Sequence, residues 1–283
     1  MAQQRLKNKI FLDSGDPAET REILSTFGFL DGQTTNPSLI AKNPDTTGKK
    51  FGKKDLLEFY RKVVAEISLL IPQGSVSIEV YADAHTSAEE MFKQGKEFNT
   101  WISNAHIKYP TTAAGLEAAE KSVKDGMKVN MTLVFSQAQA AAVYAATKGA
   151  KKGDVFVSPF VGRLDDRGEK GMDLIANIVK MYKQGDGHVE VLTASVRSLS
   201  HMAEAVNFGS DIITAPLKIL KEWHEQITND KSQITNRFQN SNLKPIPFKT
   251  IDINRSWNEY DIHHELTDKG IERFAADWNS LIL

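Results

Sequence analysis

A lysine set among apolar neighbours is the first chemical signal in this chain. In the segment HIKYP, Lys108 stands between Ile107 and Tyr109. Extended backbone alternates its side chains, so Lys108 faces away from both. Lysine is almost never fully buried unless it is paired or used. Burial and neighbouring cations favour its neutral amine, and a neutral amine attacks a ketone to give a carbinolamine and then a Schiff base. The residues leave a second reading open, a buried ion pair with Glu79 or Asp13. Those two carboxylates lie in similar apolar runs, KIFLD and VSIEV. Two carboxylates whose surroundings push their pKa values apart can divide general acid and general base work. For Asp13 the competing role is to cap the next helix, although Asp16, directly before Pro17, suits that cap better. Arg163 and Arg197 each follow an apolar run, and guanidinium forks match phosphate geometry. Their alternative is a surface salt bridge.

Such residues act together only if a scaffold gathers them. Eight β-rich apolar runs recur, beginning near Lys9, Gly32, Val76, His106, Val129, Val155, Glu190 and Ile212. Their average spacing of about 29 residues matches the roughly 30 that a strand and a crossover helix need. The segments between them carry helical patterns. Pro17 to Phe27 has proline in its first turn, and Asp55 to Leu70 has Leu56, Leu57, Tyr60, Val63, Val64 and Ile67 at helical spacing. Ser87 to Ser103, Ala113 to Asp125, Ser136 to Thr147, Gly168 to Lys183 and Ser198 to Phe208 read the same way. Strands apolar on both faces and alternating with helices indicate a parallel sheet, and eight units favour its closure. The expected fold is therefore α/β, a (β/α)8 TIM barrel in a single domain over residues 1–283. Residues 239–283 form a C-terminal extension with an additional helix. Leu217 to Phe238 is expected to hold the eighth barrel helix. Leu266 to Leu281 sets Ile271, Phe274, Trp278 and Leu281 on one face, for packing on the barrel or on a second subunit. The basic stretch Ala41 to Lys54 reads as a solvated loop, with a phosphate-attracting lid as the alternative.

Barrel enzymes carry their chemistry at the carboxyl ends of the strands. There the eight runs deliver Asp13, Asn36, Glu79, Lys108, Asn130 with Thr132, Ser158 with Phe160 and Arg163, Ser195 with Arg197, and Thr214. A purely structural barrel has no use for so many polar groups, whose burial is costly unless they are paired.

Composition narrows the classes. Lys and Arg number 35 against 36 Asp and Glu, a formal charge of −1 that gives no support to a nucleic-acid or membrane-surface binder. Hydrophobic residues at 41% exclude a disordered chain. With no cysteine, disulfides, thiolate metal sites and cysteine nucleophiles are excluded. The seven histidines show no metal-ligand spacing, and neither a GxGxxG nor a Walker loop is present. Met1 to Ile10 is polar and basic with no apolar stretch after it, unlike a signal peptide, so the expected address is cytoplasmic.

The motifs FLDSGD, DGQTTNPSLI, VSIEV, IKYPTTAAGLEAAE, VNMTLVFSQAQA, VSPFVGRLDD and ASVRS, in this order, resemble the transaldolases and the shorter fructose-6-phosphate aldolases. The resemblance covers about Lys9 to Leu217, and FAADWNSL is similar to the terminal helix of longer members. It implies class I aldolase chemistry with no metal and no cofactor, sugar-phosphate substrates and a homo-oligomer. Carried over by motif, Lys108 resembles the Schiff-base lysine and Asp13 the acid/base. Glu79 and Thr132 resemble the pair that holds a catalytic water. Asn36, Asn130 and Ser158 resemble ligands of the hydroxyls near the Schiff base. Arg163, Ser195 and Arg197 resemble a phosphate clamp. Phe160 stands where the simple aldolases carry Tyr, and Glu79 where they tend to carry Gln; both point to a transferase that moves a dihydroxyacetone unit between sugar phosphates. An aldolase-like lyase and a non-catalytic barrel binding an anionic sugar are the alternatives.

Overall fold

The computed structural model describes residues 7–228 and 242–283. Eight parallel strands close into one barrel in sequence order, with the last paired to the first. They are β1 (Lys9–Asp13), β2 (Gly32–Thr34), β3 (Ser75–Glu79), β4 (Ala105–Pro110), β5 (Val129–Val134), β6 (Val155–Pro159), β7 (Val189–Thr193) and β8 (Ile212–Ala215). The helices wrapped around them are α1 (Pro17–Phe27), α3 (Lys53–Leu70), α4 (Ala88–Asn99), α5 (Ala113–Lys124), α6 (Gln137–Ala146), α8 (Gly171–Tyr182), α9 (Leu199–Phe208) and α10 (Leu217–Thr228). The (β/α)8 architecture is thus the one expected, and each strand lies within a residue of its predicted start.

Local chemistry explains why the helices begin where they do. Asp16 accepts a hydrogen bond from the Ala18 amide ahead of α1, leaving Asp13 free of capping duty. Thr112, Ser136 and Ser198 cap α5, α6 and α9 in the same way, and Ser87 with Glu90 forms a reciprocal capping box on α4. The apolar faces of these helices pack against the outward strand residues Ile10, Leu12, Ile107, Tyr109 and Val157, all buried.

Two short helices were not expected. They are α2 (Pro37–Ala41), after β2, and α7 (Val161–Asp166), after β6. At five and six residues they are too short to show a helical period. The helix expected from Gly168 begins only at Gly171, whose amide is held by Asp165 Oδ1 at 2.9 Å. The part of the expected eighth helix from 229 to 238, and the start of the extension at 239–241, lie outside the described residues.

The chain ends in α11 (Glu265–Asn279). Ile271, Phe274 and Trp278 on its inner face, with Leu281 just beyond its end, are buried against the barrel of its own chain, which decides between the two packings the sequence allowed. The helix lies over the carboxyl ends of the strands, against α2 and β5. The Thr267 hydroxyl donates to Leu133 O at 2.9 Å, and Ser38 hydrogen-bonds Asp277. Among the described residues no helix is long and apolar enough to cross a membrane.

Candidate active site

The barrel register sets three site residues side by side. Glu79 pairs with Lys108, and Lys108 pairs with Asn130, on β3, β4 and β5. Lys108 is only 2% exposed. Its Nζ lies 3.0 Å from Glu79 Oε2 and donates to the Thr35 carbonyl at 3.3 Å. Both groups that the sequence offered as ion partners face this lysine, and Glu79 makes the contact. Burial raises the Glu79 carboxyl above its ordinary range, and the lysine charge opposes that rise. Asp13 is raised in the same way, with Lys108, a hydrogen bond from Thr34 and Lys42 pulling it back. The Thr34 hydroxyl donates to Asp13 at 2.7 Å and is itself 2.7 Å from the Thr214 hydroxyl.

Thr132 lies two residues beyond Asn130 on β5. Its hydroxyl is buried and has no hydrogen-bond partner among the described residues. The backbone explains its placement. Leu133 has φ 59° and the β5–β6 register shifts between Met131 and Val134, so the strand bulges directly after Thr132. Asn130 sits deeper. It accepts from the Ser158 hydroxyl at 2.6 Å and donates to Ser77 at 3.0 Å. Asn36 caps α2 by accepting from the Leu39 amide at 2.9 Å.

A cavity of about 190 Å³ opens above these residues. Asp13, Asn36, Lys108, Ser158, Phe160, Arg163, Ser195 and Arg197 all line it. Glu79, Thr132 and Asn130 do not; they stand behind or beneath its wall. Glu79 instead borders a pocket of about 10 Å³ under α11, about the size of one water. The unexpected helix α7 carries Arg163 into the cavity, where its guanidinium lies 5.3 Å from the Phe160 ring centre and 5.4 Å from that of Phe274. Burial, with Arg273 and Arg197 close by, lowers the Arg163 pKa, against the opposing pull of Glu79 and Asp166. Arg197 lines the cavity and also pairs with the exposed Asp166, the surface salt bridge that the sequence offered as its alternative. Ser195 has φ 58°, which turns the chain back over α7. Glycine is required at 162, because a Cβ there would meet Ser195 O at 2.4 Å and Arg197 Nε at 2.5 Å.

Among the polar residues lining this cavity beyond the strands themselves, Ser38, Lys42 and Arg273 escaped sequence reasoning. Lys42 belongs to the stretch read as a solvated loop, and it is exposed while lining the cavity. Arg273 comes from α11, whose sequence pattern identified only its apolar face. Nothing in that pattern says which polar residue at the edge of the face looks into the barrel. Among the described residues no cluster of His, Asp and Glu could hold a metal ion. A larger cavity, about 840 Å³, lies at the opposite end of the barrel among Lys7, Lys9, Lys152 and Glu190. There Lys9 Nζ lies 2.9 Å from Glu190 Oε2, whereas the mouth gathers the strand-end residues that the sequence singles out.

Residues 10–283 match the family model described as transaldolase/fructose-6-phosphate aldolase. The chain belongs to that family. A probable transaldolase of Dehalococcoides mccartyi is 37% identical over 273 residues, covering 96% of this chain and 99% of that protein. One from Brucella anthropi is 38% identical over 270 residues, 95% of this chain and 96% of the other. Among solved structures, 3-hexulose-6-phosphate synthase from Salmonella typhimurium is similar with a TM-score of 0.49 and 12% identity over 79% of this chain and 99% of that one.

Proposed function

We propose that the protein is a transaldolase. It transfers a dihydroxyacetone unit from a ketose phosphate, sedoheptulose 7-phosphate or fructose 6-phosphate, to an aldose phosphate such as glyceraldehyde 3-phosphate or erythrose 4-phosphate. The observation that carries this reading is the buried contact of Lys108 with Glu79, with Asp13 facing the same lysine across the barrel mouth.

Each group then has one task. Glu79, already biased toward its protonated form, takes a proton from Nζ, and the free amine attacks C2 of the ketose. Water held between Glu79 and the unpartnered Thr132 hydroxyl carries protons as the carbinolamine loses hydroxide and becomes the iminium. Asp13 accepts the proton of the C4 hydroxyl. The C3–C4 bond breaks, its electrons flow into the iminium, and the aldose phosphate departs. The enamine that remains on Lys108 adds to the second aldehyde, and Asp13 returns its proton to the new alkoxide. Hydrolysis of the iminium then frees the product ketose. General acid–base help of this kind contributes about 10²–10⁴-fold. Arg163 and Arg197, with Ser195 and the added charge of Arg273, hold the phosphate. Asn36, Asn130 and Ser158 hold or orient the hydroxyls near C1 and C3. Phe160 presents a ring without a hydroxyl beside Lys108 Nζ, 6.0 Å from its centre. That ring offers no hydroxyl to position a proton donor for quenching the enamine, which favours transfer over release of free dihydroxyacetone. On this reading the protein is a cytoplasmic homo-oligomer serving the pentose phosphate pathway, without metal or cofactor.

Borohydride reduction in the presence of fructose 6-phosphate tests it. The expected result is a dihydroxyacetone-sized mass increase on the peptide that holds Lys108. Absence of an adduct from folded protein overturns the Schiff-base mechanism. Rapid release of free dihydroxyacetone without an acceptor makes the protein a lyase instead.

A further inference from the structure

The hydrogen-bond ladder between β2 and β3 stops one rung early, at the residues that hold the lysine. In a parallel pair the rungs alternate from strand to strand. Here Ser75 N donates to Asp31 O at 3.0 Å, and Thr35 N donates to Ser77 O at 3.1 Å. The next rung in that sequence is Glu79 N to Thr35 O. It is not made. Glu79 N donates instead to the Tyr60 hydroxyl at 3.0 Å, and the Thr35 carbonyl accepts from Lys108 Nζ at 3.3 Å.

Tyr60 reaches this gap from α3, outside the barrel, and is 1% exposed. Its hydroxyl lies 2.6 Å from Thr35 Oγ1, which lies 2.7 Å from Ser77 O. A carbonyl only accepts, so the Thr35 hydroxyl proton goes to Ser77 O. The Tyr60 proton then goes to Thr35 Oγ1, and the phenol oxygen is left to accept from Glu79 N. Every group in the chain is satisfied in one direction only. The ring is wedged among Phe98, Trp101 and Trp278, with centres 6.1, 5.8 and 5.8 Å away. Trp278 belongs to α11, so the terminal helix helps to hold the wedge in place.

We infer that Tyr60 is a positioning residue for Lys108: its hydroxyl takes the place of the Thr35 carbonyl in the strand ladder and so frees that carbonyl to hold the lysine amine beside Glu79. This rests on the Schiff-base reading of Lys108 and adds a residue that lies outside the substrate cavity. Without the hydroxyl, the buried Glu79 amide has no acceptor. The nearest one is Thr35 O, and taking it closes the ladder, draws Glu79 toward β2 and removes an acceptor from Nζ.

The test compares Tyr60→Phe, which removes one oxygen, with Phe98→Leu, which loosens the same aromatic cluster and leaves the hydroxyl. The readout is the rate at which borohydride-trappable adduct accumulates with fructose 6-phosphate, alongside the concentration of sugar phosphate that gives half that rate. The expected result is adduct formation slowed roughly 10- to 100-fold in Tyr60→Phe, as befits a displaced reacting group. Half-saturation should stay within about twofold of the parent, and Phe98→Leu should keep the parent rate within the same margin. Equal slowing in both variants, or parent-like rates in Tyr60→Phe, overturns the inference. A crystal structure of Tyr60→Phe reads the ladder without any substrate. Glu79 N on Thr35 O with Lys108 Nζ displaced from that carbonyl supports the inference, and Thr35 O still holding Lys108 Nζ, with or without Glu79 N, sinks it. If the parent traps no adduct, the Schiff-base reading fails and that structure alone decides the ladder.

Discussion

The two ends of the barrel treat buried polar groups in opposite ways. At the floor, His106 stacks on Phe156 with ring centres 4.1 Å apart, and both of its ring nitrogens are engaged, by Ser75 at 2.7 Å and by Gly153 O at 2.9 Å. Lys9 and Glu190 pair beside it. Burial drives the His106 pKa down to about 3, so the ring is neutral and stays so. At the mouth, carboxyls are pushed up, Arg163 is pushed down, and the Thr132 hydroxyl has no partner. At the floor, His106, Lys9 and Glu190 are thus satisfied by one another and by their protein neighbours. The mouth holds its ionisable groups away from their ordinary pKa values. On the proposed function, the same interior, a few residues along the same strands, is structural at one end and reactive at the other.

That contrast breaks most sharply at Lys108. Lys108→Met is expected to abolish trapped adduct and lower kcat on the order of 10⁴-fold or more, with an unfolding curve confirming the fold. Asp13→Asn should still form adduct but cleave about 10²–10⁴-fold more slowly, which single-turnover kinetics would detect. Should either variant keep parent-like turnover, the mouth is no more reactive than the floor. Next in size is Arg163→Met. It should raise KM for fructose 6-phosphate about 10- to 100-fold and leave unphosphorylated fructose almost unchanged. An equal loss with both sugars would make Arg163 a packing residue. The smallest effect, and one on stability alone, belongs to the floor. The His106 pKa is lower folded, about 3, than its ordinary 6.5. Its neutral form therefore contributes stability fully above the ordinary value, and that stability is lost as pH falls toward the folded value, at up to about 1.4 kcal/mol per pH unit. His106→Gln should flatten this acid slope in urea titrations while leaving activity at neutral pH within about twofold of the parent. Asp13 and Glu79 have the opposite sign. Raised when folded, they favour the fold below the ordinary carboxylate range, and that contribution fades as pH climbs through their raised values. A fall in activity with His106→Gln would erase the distinction between the two ends.

Much of this arrangement was legible in the chain. A lysine in an apolar run has few explanations, and strand alternation alone put Lys108 inside. Asp16 could be recognised as the cap because Pro17 follows it, which left Asp13 for the barrel interior. The short helices α2 and α7 were not legible, since a five- or six-residue helix has no period to detect. Their loss hid how Arg163 enters the cavity. Arg273 and Lys42 were missed for a related reason. Lys42 follows the unread helix α2, and Arg273 stands at the edge of the apolar face of α11, where the angle of that helix across the mouth decides which edge residue looks inward. Tyr60 was read simply as one more apolar position of α3. Only the broken rung between β2 and β3 assigns its hydroxyl a task.

Local pattern determined the strands, most of the helices, the order of the units and the identity of the polar groups at the strand ends. Those depend on spacing, capping and burial along a short stretch of chain, and each is written within about ten residues. Tertiary structure alone decided that Lys108 pairs with Glu79, that Thr132 is left without a partner and that the terminal helix covers its own barrel. It also decided that three arginines share one small cavity. These depend on barrel closure, on a bulge at Leu133 and on the docking of α11, which bring together residues up to some 240 positions apart, as Ser38 and Asp277 are. No periodicity reaches that far, because the energies that set those contacts come from packing and desolvation in three dimensions rather than from neighbours in sequence.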